Sequence, residues 1–130
     1  MIRKLFGLAF CAMLLSCVGK TVKSSITFLS VEEYAEALKS DTTACLIDVR
    51  TPEEYNAGHI DGARLLNVMD EETFLAGIDS LSPEHTYYIY CRSGRRSQNA
   101  AMHMTQRGLK VVDLQGGYNA WKESGSKTGE

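Results

Sequence analysis

Apolar positions along the chain fall into two kinds of run. Ile26–Leu29, Ala44–Val49, Tyr87–Tyr90 and Val111–Leu114 are short and rich in β-branched or aromatic residues, the pattern of buried strands. Between them the spacing turns helical. Val31, Tyr34, Ala35 and Leu38 recur at helical intervals behind Ser30 and Glu33, a capping box. A second box, Thr51 with Glu54, opens a short helix with Pro52 at its first position and Gly58 suited to its exit. Ala63–Val68 predicts a further strand, Asp70 caps a helix through about Ile78, and Pro83 breaks the chain before Tyr87. Ser97–Arg107 reads as a helix that turns Ala100, Ala101 and Met104 inward and ends at Gly108. Gly116 and Gly117 precede a short helical run with Tyr118, Ala120 and Trp121, and Ser124–Glu130 is expected to fray. Strands alternating with helices predict a parallel α/β sheet covered by helices on both faces.

The length of 130 residues suits one domain with one core. A net charge of −2 argues against a general nucleic-acid or membrane-surface binder. The first residues change the picture more than the composition does. Arg3 and Lys4 precede an almost wholly apolar run, Leu5–Leu15, whose helix would span only ~16 Å, about half a bilayer core. That is a targeting segment and not a membrane span. Leu14-Leu15-Ser16-Cys17 resembles the lipobox of bacterial lipoproteins, in which the cysteine is lipidated and becomes the first mature residue. The resemblance implies a leader over residues 1–16, a small polar tether over 17–25, and a lipid anchor holding the domain to the bacterial cell envelope, facing the periplasm. Loss of Arg3 and Lys4 with the leader takes the charge from −2 to −4.

Candidate chemistry centres on Cys91-Arg92-Ser93-Gly94-Arg95-Arg96-Ser97. The order is strand, tight loop, helix, with the thiol at the end of the strand. Backbone N–H groups in such a loop can converge on one point, a helix N-terminus adds partial positive charge, and the arginines add full charges. A sulfur anion at Cys91 is therefore stabilised in three ways, and the residue reads as a nucleophile beside an anion site. Ligands of open parallel sheets bind beyond the carboxyl ends of the strands. Asp48-Val49-Arg50, Cys91 and Gly116-Gly117 all follow strand ends and are expected at that edge. Cys45 begins its strand, roughly 13 Å below the edge, beyond disulfide reach of Cys91, and reads as a small buried apolar residue.

Three stretches carry a family resemblance. Ile47–Tyr55 running on to Gly58-His59-Ile60-Asp61-Gly62-Ala63, the loop Cys91–Ser97, and Gly116–Trp121 resemble, in order, the signatures of a single-domain rhodanese. The resemblance places the rhodanese domain at residues 26–123 and implies a mainly parallel sheet flanked by helices. It also implies sulfur transfer. Cys91 would take the outer sulfur of a small sulfur-containing anion such as thiosulfate, and a persulfide would pass it to cyanide, a thiol or a protein thiol. No metal or organic cofactor is implied. Arg92, Ser93, Gly94, Arg95, Arg96 and Ser97 become the substrate cradle, with Arg92 and Arg96 favoured as partners of the donor's oxygens. The spacing Cys-x4-Arg resembles the sulfur-handling branch, because related phosphatases and arsenate reductases carry Cys-x5-Arg. A rhodanese-like module that only binds sulfur species or a partner protein is the alternative, and a phosphatase or arsenate reductase, disfavoured by the loop length, ranks below it.

Plainer readings apply to the remaining candidates. Asp48 either orients the active loop or caps neighbouring backbone. Arg50 and Glu54, four apart across a helix start, are expected to form a structural ion pair. His59, in a Gly-His-Ile turn, is expected to pack locally, and His85 and His103 show no ligand-like spacing. Gly116 and Gly117 suit close backbone approach, and Tyr118 and Trp121 suit the core or a pocket wall.

Overall fold

A computed structural model describes residues 24–126 and 128–129. The leader and Cys17 lie outside the described residues. In chain order the elements are β1 (Ser25–Leu29), α1 (Val31–Ser40), β2 (Ala44–Asp48), α2 (Pro52–Ala57), β3 (His59–Ile60), β4 (Arg64–Leu65), α3 (Glu71–Asp79), β5 (Thr86–Tyr90), α4 (Arg95–Gln106), β6 (Lys110–Leu114), α5 (Gly117–Glu123) and β7 (Thr128–Gly129).

Five strands form one parallel sheet in the order β1-β6-β5-β2-β4. Alternation along each strand divides the core. Ile47, Ile89 and Val111 face α3 and α4, packing with Phe74, Ile78, Ala100, Ala101 and Met104. Tyr88, Tyr90, Val112 and Leu114 face the other side, against Val31 and Tyr34 of α1 and Tyr118 and Trp121 of α5. Burial of both faces is what the continuous apolar runs require.

Local signals are expressed as read. Ser30 and Thr51 each accept from the backbone N–H three residues on, and Glu33 and Glu54 reach back to complete both capping boxes. Asp70 caps α3 through Thr73 N–H. Four details differ. The strand expected over 63–68 narrows to Arg64–Leu65, because it lies at the sheet edge, although Leu66 and Val68 still donate to the carbonyls of Asp48 and Val49. α4 begins two residues before Ser97, since Gly94 takes the N-cap position with φ +107°. At the ends, Ser25 belongs to β1 and not to a tether, and Thr128–Gly129 pair antiparallel with β3, a pairing the polar tail did not advertise.

Cys91 follows β5, the central strand of the sheet. Register sets Asp48 opposite Tyr90 on one side and Asp113 opposite Ile89 on the other. The carboxyl end of the sheet therefore carries one thiol between two aspartates.

Candidate active site

Cys91 is buried at 1 % exposure and packs with the α4 side of the core. Its sulfur accepts the Gly94 N–H at 3.0 Å, and its thiol reaches Ser97 Oγ at 3.5 Å. Ser97, in the first turn of α4, is itself buried and donates to the Gly94 carbonyl at 3.2 Å. One backbone amide, one hydroxyl and the start of a twelve-residue helix thus converge on the sulfur.

The loop that makes this possible is held from beneath by α5. Tyr118 N–H donates to the Cys91 carbonyl at 2.8 Å and Asn119 N–H to the Arg92 carbonyl at 3.0 Å. Gly117, at φ +59°, permits the approach: a Cβ there would stand 2.6 Å from the Cys91 carbonyl oxygen. The expected role of this glycine pair, close backbone approach, is what the geometry shows at Gly117.

The three loop arginines have different surroundings. Arg96 is bound in a two-pronged ion pair by Glu54, Nη1 to Oε1 at 2.6 Å and Nη2 to Oε2 at 2.8 Å. Its hydrogen bond to Glu54 is the chief cause that raises the guanidinium's ionisation above its ordinary value, and the charge of Cys91 adds to this. The same contact holds the Glu54 carboxyl down at about 2. Arg92 and Arg95 are exposed on opposite flanks of the loop. Arg92 lines a cleft of about 270 Å³ with Arg50, Glu54, Tyr118 and Lys122. Arg95, with Ser93 and Gly94, lines a cavity of about 380 Å³ against Phe28, Gln98, Asp113 and Gly116. The loop residues are thus distributed around the sulfur, with two exposed cations facing solvent-connected hollows and one cation locked beside it.

Arg50 does not pair with Glu54. It turns inward to Asp48, Nη2 to Oδ2 at 2.7 Å and Nε to Oδ1 at 3.0 Å, and donates a further bond to the Gly58 carbonyl at 2.7 Å. Glu54 is unavailable to it, because that side chain folds back onto Thr51 and meets Arg96. Asp48 also receives the Arg50 N–H and the Tyr90 hydroxyl, the latter at 2.8 Å. The Arg50 guanidinium lies 4.2 Å above the Tyr118 ring. Burial pulls its ionisation down, but the hydrogen bonds and charge of Asp48 outweigh that, and the net shift is upward. Asp48 and Arg50 therefore brace the wall of the site and make no contact with the sulfur.

Of the other candidates, His59 stacks on Tyr55 and bonds its carbonyl through Nδ1 at 3.0 Å, as local packing requires. Cys45 is half-buried against the α4-side core, and both it and Cys91 are free thiols. Among the described residues, no three His, Cys, Asp or Glu side chains come together to hold a metal ion.

Two residues escaped the sequence reading. Glu54 is legible as a cap, but its ion pair with Arg96 bridges 42 positions and has no local signature. Asp113 sits inside an apolar strand and is 1 % exposed. Burial pushes its carboxyl up to about 6, against the opposing pull of the Ser97 hydroxyl and the Leu114 N–H. The polar residue interrupting Val111–Leu114 was the available signal.

A parallel sheet with a buried cysteine at the end of its central strand, cupped by a loop and a helix start, defines a rhodanese-like domain. The rhodanese-like domain family matches residues 30–124, and the chain belongs to that family. It is 33% identical over 102 residues to the thiosulfate sulfurtransferase GlpE of Shewanella oneidensis, covering 78% of this chain and 97% of that protein. Among solved structures it resembles a rhodanese-related protein from Thermoplasma volcanium, with TM-score 0.70 and 25% identity over 79% of this chain and 97% of that one. A rhodanese-like domain protein from Staphylococcus aureus gives TM-score 0.65 and 28% identity over 73% and 90% of the two chains.

Proposed function

We propose that the protein is a sulfurtransferase that carries sulfane sulfur on Cys91, taking it from a small anion such as thiosulfate. The observation that carries this reading is the Cys91 sulfur at the head of α4, accepting the Gly94 N–H at 3.0 Å with the Arg96 charge nearby. Similarity to a protein named as a thiosulfate sulfurtransferase supports the choice of donor.

In the first half-reaction the Cys91 thiolate attacks the outer sulfur of thiosulfate. A new S–S bond forms, the old one breaks, and sulfite leaves with the electron pair. Arg92 or Arg95, exposed at the mouth of the loop, supplies positive charge for the departing oxyanion. Arg96 is committed to Glu54 and contributes its field in place of a direct contact. In the second half-reaction cyanide or a thiolate attacks the outer sulfur of the persulfide and Cys91 leaves as thiolate. The Gly94 N–H and the helix start stabilise the anion that exists before, between and after the two steps.

The finer placement is also proposed: Cys17 carries lipid, and the domain works at the bacterial cell envelope, facing the periplasm. A Cys17→Ser chain that keeps its leader and carries no acyl mass in cells would agree with this. An acylated serine variant, or an unmodified wild-type Cys17, would not.

The central test is intact mass after exposure to thiosulfate. One added sulfur on wild type, none on Cys91→Ser, and release of thiocyanate with cyanide are the expected results. A folded wild-type protein that gains no sulfur and forms no thiocyanate would overturn the assignment.

A further inference from the structure

Asp113 is the one buried side chain among the described residues with a polar atom, Oδ1, that has no hydrogen-bond partner. Leaving such an atom unpaired is costly, so the position asks for a partner from outside the chain. Strand geometry says from which side. Asp113 stands two residues beyond Val111, which packs on the α4 side, so its side chain leaves the sheet on that same face. Phe28, its register partner on β1, shares the face and is 48% exposed. Between these strand ends and the start of α4 opens the cavity of about 380 Å³, walled in part by Phe28, Gly94, Arg95, Gln98 and Asp113. Gly94 is also the residue whose N–H holds the Cys91 sulfur at 3.0 Å. One residue thus belongs both to the cavity and to the sulfur's cradle.

The cavity carries two opposite charges, and neither is spent inside the protein. Among the described residues Arg95 is exposed and enters no salt bridge. No cation figures among the causes acting on Asp113, whose carboxyl burial lifts to about 6, so that it is still ionised at pH ~8. A turn about the soft carboxylate torsion presents Oδ1 to the hollow. Thiosulfate suits this place badly, because a dianion has no hydrogen to give Oδ1 and is repelled by the carboxylate. A ligand with an ammonium group for Asp113 and a carboxylate for Arg95 satisfies both. Phe28 supplies an apolar wall for the carbon stem between them.

We propose that this cavity binds the sulfur acceptor, and that the acceptor is a small α-amino thiol such as cysteine, its ammonium group on Asp113 and its carboxylate on Arg95. The proposal rests on Cys91 carrying sulfur, and adds which acceptor takes it. It assigns Arg95 to the second half-reaction and leaves Arg92 to the donor. In the step, the acceptor's thiol loses its proton to water and its sulfur attacks the outer sulfur of the Cys91 persulfide. One S–S bond forms as the other breaks, and the electron pair of the broken bond stays on Cys91. The acceptor leaves as a persulfide, and no outside oxidant or reductant is called for.

The test uses three thioethers that cannot accept sulfur. S-methylcysteine has both charged groups, methylthioethylamine only the ammonium and methylthiopropionate only the carboxylate. Affinities are read by ligand-observed NMR at pH ~8 for wild type, Asp113→Asn and Arg95→Gln. Asp113→Asn is expected to bind the two amines roughly tenfold more weakly without weakening the propionate. Arg95→Gln is expected to do the converse, weakening the two carboxylates and sparing the ethylamine. In turnover, Asp113→Asn should raise the KM for cysteine by a similar factor. A wild type that binds no thioether overturns the proposal, as does an Asp113→Asn chain that keeps all three or loses all three alike. Should Asp113→Asn not fold, the selectivity of Arg95→Gln decides alone. Weakened amine binding with an unchanged KM for cysteine overturns the acceptor role. Thioether binding needs no donor, so a wild type that never takes up sulfur from thiosulfate sinks the sulfurtransferase reading and leaves the binding result untouched.

Discussion

Two aspartates flank the central strand, and their environments are opposites. Asp48 is fully buried on the α5 side and satisfies both oxygens through Arg50 and Tyr90. Asp113 is equally buried on the α4 side, with no cation among the causes of its shift and one oxygen unpaired. Burial of a charge is tolerated when partners replace its water, as at Asp48. Where they do not, the group moves towards its neutral form, as at Asp113. A satisfied carboxylate is fixed in one state and serves structure. An unsatisfied one near neutrality can exchange a proton, and only the second kind lies on the face that carries the thiol.

Replacing each aspartate should therefore give opposite signs. Asp48→Ala leaves the buried Arg50 guanidinium without its counter-charge, and a loss of about 3–5 kcal/mol of stability is expected from urea unfolding. Asp113→Asn should stabilise the fold at neutral pH. The native carboxyl titrates at about 6 against an ordinary 3.8. The fold therefore holds the proton more tightly than the unfolded chain does, and wild-type stability falls as pH rises through that interval. The asparagine variant should gain on the order of 2–3 kcal/mol over wild type at pH ~7.5 and close to nothing at pH ~3.5. A variant less stable than wild type at both would place Asp113 in the same class as Asp48.

Two smaller effects sharpen the contrast between loop support and loop charge. Gly117→Ala drives a methyl to 2.6 Å from the Cys91 carbonyl oxygen, and ~1–3 kcal/mol of stability should go, together with most sulfur transfer, because the loop must shift. Glu54→Gln removes an ion pair whose partners are 25% and 27% exposed. Solvent screening limits that cost to roughly 1 kcal/mol or less in thermal melts. Since the folded carboxyl titrates at about 2, below its ordinary 4.5, the contribution is present above pH ~4.5 and fades as acid approaches about 2. Freed from Glu54, Arg96 should weaken or redirect donor binding, read as a changed KM for thiosulfate. An unchanged KM would show that the pair serves the scaffold alone.

Much of the fold was legible because its signals are local. A capping box joins groups three residues apart, and both are formed at Ser30 and Thr51. Alternating faces of Tyr87–Tyr90 follow from strand geometry, and the two core clusters divide accordingly. The reading failed where one group had two suitors. Glu54 satisfied its local role at Thr51 and then met Arg96 from the far loop, which left Arg50 to Asp48. Four-residue spacing predicts that Arg50 and Glu54 can meet, but it cannot weigh a partner 42 positions away.

From the amino-acid order alone came the alternation of strands and helices, the thiol at a strand end, and the glycine and helix start set to receive its charge. These depend on hydrogen bonds and hydrophobic spacing within a few residues. The folded chain alone decided which arginine stays exposed, which is locked, and which aspartate is pushed towards its neutral form. Such outcomes depend on desolvation and on charges delivered by remote segments, and both exist only once the sheet has closed around them.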